Sequence, residues 1–337
     1  MMESDEDTDS DELVIADQRT RTNTLVLMLN ELVNRCRPLP TNATLLVLGA
    51  GFSGSRIAAL ARSLGTRVLT TCRLPDDGDN DQNLRFDSQL GRIPTAEQLR
   101  GVTHLVSTIA PERDGQDPVL RCLGDQLQAM PLEWVGYLST TGVYGDRQGG
   151  WVSENDQPTP TQERSKRRLA CEQTWLASNL PVQILRLPGI YGPGRSPFQA
   201  IRRGEIRPID KPNHVFSRVH VEDVAGACIH LIDRASHGQR PTVVNVCDDL
   251  PAAPADVQRF ASELMGLSLP ASRSFDEAFE GMSPMARSFW AENRRVRNTL
   301  LCDELGYQLL HPNYRQGMRD CWEQEGLNPR ESTSTAA

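Results

Sequence analysis

The sequence predicts an α/β fold in which a mainly parallel sheet is covered by helices on both faces. Three observations carry this. Apolar runs of strand length recur at 44–48, 67–71, 103–108, 134–139, 182–187 and 242–246. Segments with helical spacing alternate with them at 53–64, 116–129, 161–178, 221–234 and 254–266. The first strand then runs directly into Gly49-Ala50-Gly51-Phe52-Ser53-Gly54. Near-continuous apolar strands separated by amphipathic helices are what a sheet buried on both faces requires.

The elements follow in order. The first dozen residues, MMESDEDTDSDE, read as a disordered acidic tail. Residues 22–36 place Leu25, Leu27, Met28, Leu29 and Leu32 at helical spacing, and Pro38 and Pro40 end that helix. Next come the strand Leu45-Leu46-Val47-Leu48, the glycine turn, and a helix whose apolar stripe is Phe52, Ile57, Leu60, Ala61 and Leu64. Strand, G-x-G-x-x-G and helix in that order form the dinucleotide-binding arrangement of a Rossmann-type doubly wound sheet. Gly49 allows the tight turn, Gly51 lets backbone approach a pyrophosphate, and Gly54 lets the helix pack on the strand. Phe52 and Ser53 open the helix, whose free N–H groups and dipole favour that anion.

The second strand carries the cofactor preference. It ends in Cys72-Arg73, and no acid follows until Asp76. An acid at this point would bind the adenosine ribose of NAD. Arg73 stands where a 2′-phosphate would sit, with Thr70 and Thr71 as further donors, so the expected cofactor is NADP, with NAD left open. Asp87 is placed to meet the adenine amino group. Thr108 and Ile109, at the end of the strand 103–108, are placed near the cofactor's centre. The expected organisation is a tail and short helix at 1–40, the nucleotide-binding core at 41–190, and a mixed substrate lobe at 191–330 interleaved with late core elements at 219–246.

Composition excludes several classes. The formal net charge is −8, which argues against nucleic-acid and anionic-membrane partners. No apolar run reaches membrane-spanning length, and the start lacks a basic-then-apolar leader, so a soluble cytoplasmic protein is expected. The eight cysteines stand singly, without a C-x-x-C pair, and the six histidines are scattered, so no metal site is expected.

Four further segments carry a family resemblance. They are Leu138-Ser139-Thr140-Thr141-Gly142-Val143-Tyr144-Gly145; the helix ending Leu169-Ala170-Cys171-Glu172; Leu185-Arg186-Leu187-Pro188-Gly189-Ile190-Tyr191-Gly192-Pro193-Gly194-Arg195; and Val219-His220-Val221-Glu222-Asp223-Val224-Ala225. With the glycine turn they resemble the extended short-chain dehydrogenase/reductases, the group of nucleoside-diphosphate-sugar epimerases and dehydratases, over residues 44 to about 250. The resemblance implies a doubly wound sheet carrying NAD(P), a small C-terminal substrate lobe, a small-molecule substrate of polar anionic character, and pairing into a homodimer through helices including 161–178. It places Thr140 where the family's Ser or Thr hydrogen-bonds the reacting oxygen. It places Pro188, Gly189 and Ile190 in the turn beside the nicotinamide.

The departures concern chemistry. The family's catalytic pair is Tyr-x-x-x-Lys on the helix after the fifth strand. Here the tyrosine place falls on Arg164 and the lysine place on Arg168. A two-residue slide puts Lys166 in the lysine place and Gln162 in the tyrosine place, and neither register restores the pair. Arginine does not deprotonate in proteins, so Arg164 has only electrostatic stabilisation of an oxyanion to offer. The family's phosphate-clamping arginine falls on Phe216, with Arg218 two residues on. The glycine turn also lacks the extra leading glycine of extended members. These features match atypical subgroups that keep the cofactor fold and lose the tyrosine. Tyr144 and Tyr191 read better as packing residues than as substitute donors, and His220 better as a structural link than as a base. Arg195, Arg202, Arg203, Arg207 and Lys211 form a basic cluster in the lobe that an anionic substrate would explain. Two functions therefore stand side by side: an NAD(P)-dependent epimerase/dehydratase- or reductase-like enzyme with a non-standard proton relay, and a non-catalytic NADP-binding sensor or interaction protein.

Overall fold

The computed structural model describes residues 29–74 and 82–325. The acidic tail and residues 22–28 lie outside the described residues, and 29–35 are helical. The central sheet is built from β1 (Thr44–Leu48), β2 (Arg67–Cys72), β3 (Asn83–Arg85), β4 (His104–Ser107) and β5 (Trp134–Thr140). After a short strand, β6 (Trp151–Val152), the sheet continues with β7 (Val182–Leu187). Beyond it lie β8 (Gly189–Tyr191), β9 (Ile209–Asp210) and β10 (Arg218–His220), then the last sheet strand, β11 (Val243–Asn245), and the short β12 (Arg273–Ser274) and β13 (Arg295–Val296). The seven sheet strands lie in the order β11-β7-β5-β4-β1-β2-β3, and every pairing is parallel. The order reverses between β1 and β4. At such a switch point the flanking connections diverge and leave a crevice at the carboxyl ends of the strands.

The helices are α1 (Phe52–Ser63), α2 (Pro118–Gln128), α3 (Glu163–Leu176), α4 (Phe198–Arg202), α5 (Val221–Ser236), α6 (Pro254–Leu264), α7 (Phe275–Phe279), α8 (Pro284–Trp290) and α9 (Tyr314–Glu325). Strand periodicity sends alternate β1 residues to opposite faces. Leu45 and Val47 join α1 and α5 in one core, through Ile57, Leu60, Val224 and Cys228. Leu46 and Leu48 join α2 and α3 in the other, through Leu123, Leu127, Cys171 and Trp175. A third cluster after residue 190 packs Tyr191, Phe198, Val257, Tyr314 and Met318. The six strands and five helices expected from the sequence are present, with ends shifted by one or two residues. β3 and the two- and three-residue pairs β6–β13, β8–β10 and β9–β12 carry too few residues for periodicity to mark them.

Candidate functional site: a dinucleotide cleft with a rewritten opposite wall

The glycine turn is held by hydroxyls from both neighbouring strands. The Gly49 N–H donates to Thr71 Oγ1 at 3.0 Å, and the Ala50 N–H to the Thr71 carbonyl at 2.7 Å. Thr108 Oγ1 donates to the Gly49 carbonyl at 2.7 Å. Gly49 has φ +91°, and a Cβ there would lie 2.6 Å from Thr108 Oγ1. A Cβ on Gly54 would collide with the Gly49 carbonyl oxygen, whereas one on Gly51 would meet nothing and enter open space. The first and third glycines therefore serve packing, and the second leaves room above the turn. Gly51 caps α1 without a side-chain bond, and the first turn holds no acid. The leading N–H groups of α1 are thus left to an external anion.

From the turn a cleft of about 470 Å³ runs across the end of the sheet. Its walls include Gly49, Gly51, Arg73, Phe86, Thr108 and Ile109. Arg73 is exposed at the end of β2. Thr70 and Thr71 do not reach out beside it. Both are buried, Thr71 on the glycine turn and Thr70 against the Gln82 carbonyl at 3.2 Å. Asp87 Oδ1 accepts the N–H groups of Gln89 and Leu90, each at 3.1 Å, and closes its own turn. Its neighbours Phe86, Ser88 and Gln89 form the wall at that point. This arrangement fits a dinucleotide: a bare helix N-terminus, an open floor at Gly51, and a long cleft with exposed Arg73 on its wall.

The opposite wall is where α3 passes the ends of β4 and β5. Arg168 Nη1 donates to the carbonyls of Ile109 (3.3 Å) and Leu138 (3.2 Å) and to the Tyr137 hydroxyl (3.1 Å). It is this arginine, not Lys166, that reaches the strand ends, since Lys166 pairs with Glu163 at 2.7 Å. Arg164 is exposed and stacks its guanidinium on Phe289 of α8, 4.5 Å from the ring centre. Thr140 ends β5 half-buried and accepts the Gly142 N–H at 3.1 Å, leaving its own hydrogen to donate. Pro188 and Ile190 follow β7, in the segment where β8 pairs with β10. All five tyrosines are buried, at 0–6 % exposure. Tyr144 donates to Asn245 Oδ1 at 2.8 Å beneath the Arg186 guanidinium, and Tyr191 packs edge-on against His220. Neither stands on the cleft.

The basic cluster expected in the lobe is dispersed. Arg195 lies over the Phe52 ring at 4.3 Å, Arg203 pairs with Glu205 at 2.7 Å, and Lys211 donates to the Trp290 carbonyl at 2.7 Å. Arg218 is a strut, donating to the carbonyls of Phe216 and Ala252 at 2.9 and 2.8 Å. Sequence reasoning missed a buried cluster in which ligand atoms of His220, His311 and Asp320 lie within 4.8 Å of one another. Metal binding would need a free lone pair on His220 Nε2. His220 Nδ1 accepts the Glu222 N–H at 3.3 Å, which leaves the proton on Nε2. The two imidazoles also lie against each other, with centroids 3.9 Å apart and planes tilted by 41°. The cluster is a hydrogen-bonded lock. His311 bridges Asp223 (Nδ1, 3.3 Å) and Asp320 (Nε2, 3.2 Å), and this raises it to about 9 despite burial.

A parallel sheet with a switch-point cleft and a bare glycine-turn helix define a Rossmann-type fold. Residues 45–247 match the NAD dependent epimerase/dehydratase family, and the chain belongs to that family. A functionally unknown conserved protein from Silicibacter pomeroyi is 45% identical, with a TM-score of 0.74 over 83% of this chain and 98% of that one. Protein YeeZ of Escherichia coli is 28% identical over 79% of this chain and 96% of its own length. More distant structures share the fold. UDP-glucuronic acid 4-epimerase from Bacillus cereus, in complex with NAD, is 18% identical (TM-score 0.64, 83% and 96% covered). The human epimerase family protein SDR39U1, with NADPH, is 17% identical (TM-score 0.62, 83% and 99% covered).

Proposed function

We propose that this protein binds NADP in the switch-point cleft. There it carries out epimerase-, dehydratase- or reductase-type chemistry on a small polar anionic molecule, a nucleotide-sugar or a chemically similar compound. The observation that carries the reading is the cleft itself: glycine turn, uncapped α1 and Arg73 in the place of a ribose-binding acid. When bound, the nicotinamide supplies a hydride acceptor or donor. The chain's own residues supply position. Thr71 and Thr108 set the turn under the pyrophosphate. Thr140 offers an O–H donor at the end of β5 for the reacting oxygen. Arg168 fixes the ends of β4 and β5 relative to each other and places a cation beside the ribose. With every tyrosine buried, the proton of the reaction is exchanged with the substrate itself or with water rather than with a phenol.

Titration of the purified protein with NADPH and NADH tests the cofactor. NADPH binds at least tenfold tighter, and Arg73→Ala removes the preference, since one bidentate charge-assisted contact is worth roughly 1.5–3 kcal/mol. Equal affinities in the unmutated protein overturn the NADP reading. Turnover is tested in two ways: deuterium transfer from C4-labelled NADPH to keto substrates for a reductase, and conversion of nucleotide-sugars in the presence of NADP+ for an epimerase or dehydratase, which returns the hydride to the substrate. A second reading is an NADP-binding sensor without turnover. Arg164 favours it, turned to Phe289 where the family has its tyrosine. Tight cofactor binding with neither label transfer from NADPH nor product formed in the presence of NADP+ selects that reading.

A further inference from the structure

We propose that Arg113 is the second arm of a two-arginine clamp on the 2′-phosphate of NADP, facing Arg73 across the cleft. This rests on the NADP reading above. The charged residues on the cleft wall are Arg73, Glu112 and Arg113. Glu112 is already neutralised. Its two carboxylate oxygens share Arg121 Nη2 at 2.8 and 2.9 Å, and one of them accepts a hydrogen bond from Ser88 Oγ at 2.6 Å. Arg73 and Arg113 are exposed, and among the described residues neither forms an ion pair. Among the described residues, therefore, two positive charges on the cleft wall have no acidic partner. The pyrophosphate does not account for them, because the N-terminus of α1 provides for it. A phosphomonoester with a charge of about −1.5 to −2 matches them in sign and size.

The backbone at Arg113 is braced, while its exposed side chain has no hydrogen-bond or ion-pair partner among the described residues. Residues 112–116 form a tight turn, with Glu112 N–H to the Gln116 carbonyl at 2.9 Å and Gly115 N–H to the Glu112 carbonyl at 3.1 Å. α3 fastens this turn at successive points. Arg167 Nη1 donates to the Arg113 carbonyl at 3.3 Å and Cys171 Sγ to the Gly115 carbonyl at 3.4 Å. Trp175 Nε1 donates to Asp117 Oδ2 at 2.9 Å. The Glu112 bonds to Ser88 and Arg121 close the other side. A fixed Cα with a free guanidinium loses little on binding beyond side-chain order, which is the arrangement a phosphate arm needs. Arg167 and Cys171, one helical turn apart, thus serve the cofactor indirectly as positioning residues.

Binding of NADPH, NADH and 2′,5′-ADP to wild type, Arg113→Gln, Arg73→Gln and the double variant tests this. Thermal unfolding serves as a fold control. Arg113→Gln is expected to weaken NADPH and 2′,5′-ADP roughly tenfold and NADH less than about twofold. Arg113→Lys, which keeps the charge and loses the fork, should fall between. The Arg113 loss should shrink at high salt, as for any exposed phosphate contact. Equal weakening of NADPH and NADH would make Arg113 a contact for adenine or ribose and overturn the clamp. A wild-type preference for NADPH that Arg113→Gln leaves undiminished overturns the clamp alone. Absence of that preference in wild type overturns the cofactor reading with it.

Discussion

Thr108 and Gly54 bear on the same carbonyl from two sides. Thr108 Oγ1 donates to the Gly49 oxygen, and the missing Cβ of Gly54 makes room for it. The turn's shape is therefore set by one hydroxyl and one absent methyl. Gly54→Ala forces a methyl into backbone that is pinned by Thr71 and Thr108 and cannot shift. It is expected to cost about 1–3 kcal/mol of stability and to weaken NADPH and NADH together. Urea unfolding and cofactor titration check both effects, and a variant with wild-type stability would show that the turn is free to relax. Thr108→Val removes a donor from two carbonyls and should weaken both cofactors alike, unlike Arg73→Ala, which separates them. The glycines are legible in the sequence because their spacing falls between an apolar strand and a helix. The threonine roles are not, since Thr108 bonds a residue 59 positions away and strand pairing decides which hydroxyl faces the turn.

α3 is tied into the fold by one face while its first turns carry a run of cations. The buried face (Ser165, Cys171, Glu172, Trp175) still packs on β5 and β7. Glu172 accepts from Ser139 and pairs with Arg186 at 2.7 Å, with both carboxylate and guanidinium almost fully buried. Glu172→Ala strands Arg186 without a counter-charge and should destabilise by about 3–5 kcal/mol in denaturant unfolding, whereas Glu163→Ala on the exposed face should change little. The helix is readable from its periodicity, and the resemblance puts Arg164 in the place of the family's tyrosine. The register of the basic run is not readable. Residues 164–168 offer four cations, and only the position of each around the helix separates Arg168 under the strand ends from Lys166 in solvent. Arg164→Tyr is accordingly expected to give no robust turnover. Arg168 would still hold the carbonyls of Ile109 and Leu138, and the new phenol would begin where the arginine now meets Phe289. Strong activity from this single change would show that the helix can present residue 164 to the nicotinamide.

At the scale of the whole molecule, the C-terminal helix is joined to the cofactor half through ionisable groups buried in the fold. Asp223, in the first turn of α5, accepts the N–H groups of Leu310 and His311 at 2.7 and 2.9 Å and the Tyr307 hydroxyl at 3.1 Å. His311 then bridges to Asp320 of α9, and Glu222, next to Asp223, reaches Arg56 of α1 at 3.4 Å. One network therefore connects the glycine-turn helix, the helix after β10 and the last helix. Two carboxylates on one imidazole stabilise its charged form more than burial penalises it, which lifts His311 from its ordinary 6.5 to about 9. The neighbouring His220 is pushed the opposite way, chiefly by burial and then by the His311 charge, and stays neutral. A group whose folded pKa is raised contributes stability in full below about 6.5 and loses it as pH rises through about 9. The loss is on the order of 3 kcal/mol, from one pKa unit being worth roughly 1.4 kcal/mol. Urea midpoints measured between pH 6 and pH 10 should fall across that window. His311→Gln, which keeps hydrogen-bonding groups but no titratable charge, should start lower and lose the slope. An unchanged slope in that variant would move the pH dependence to another group. Because α1 sits on the same network, NADPH affinity should weaken over the same interval in wild type and not in His311→Gln.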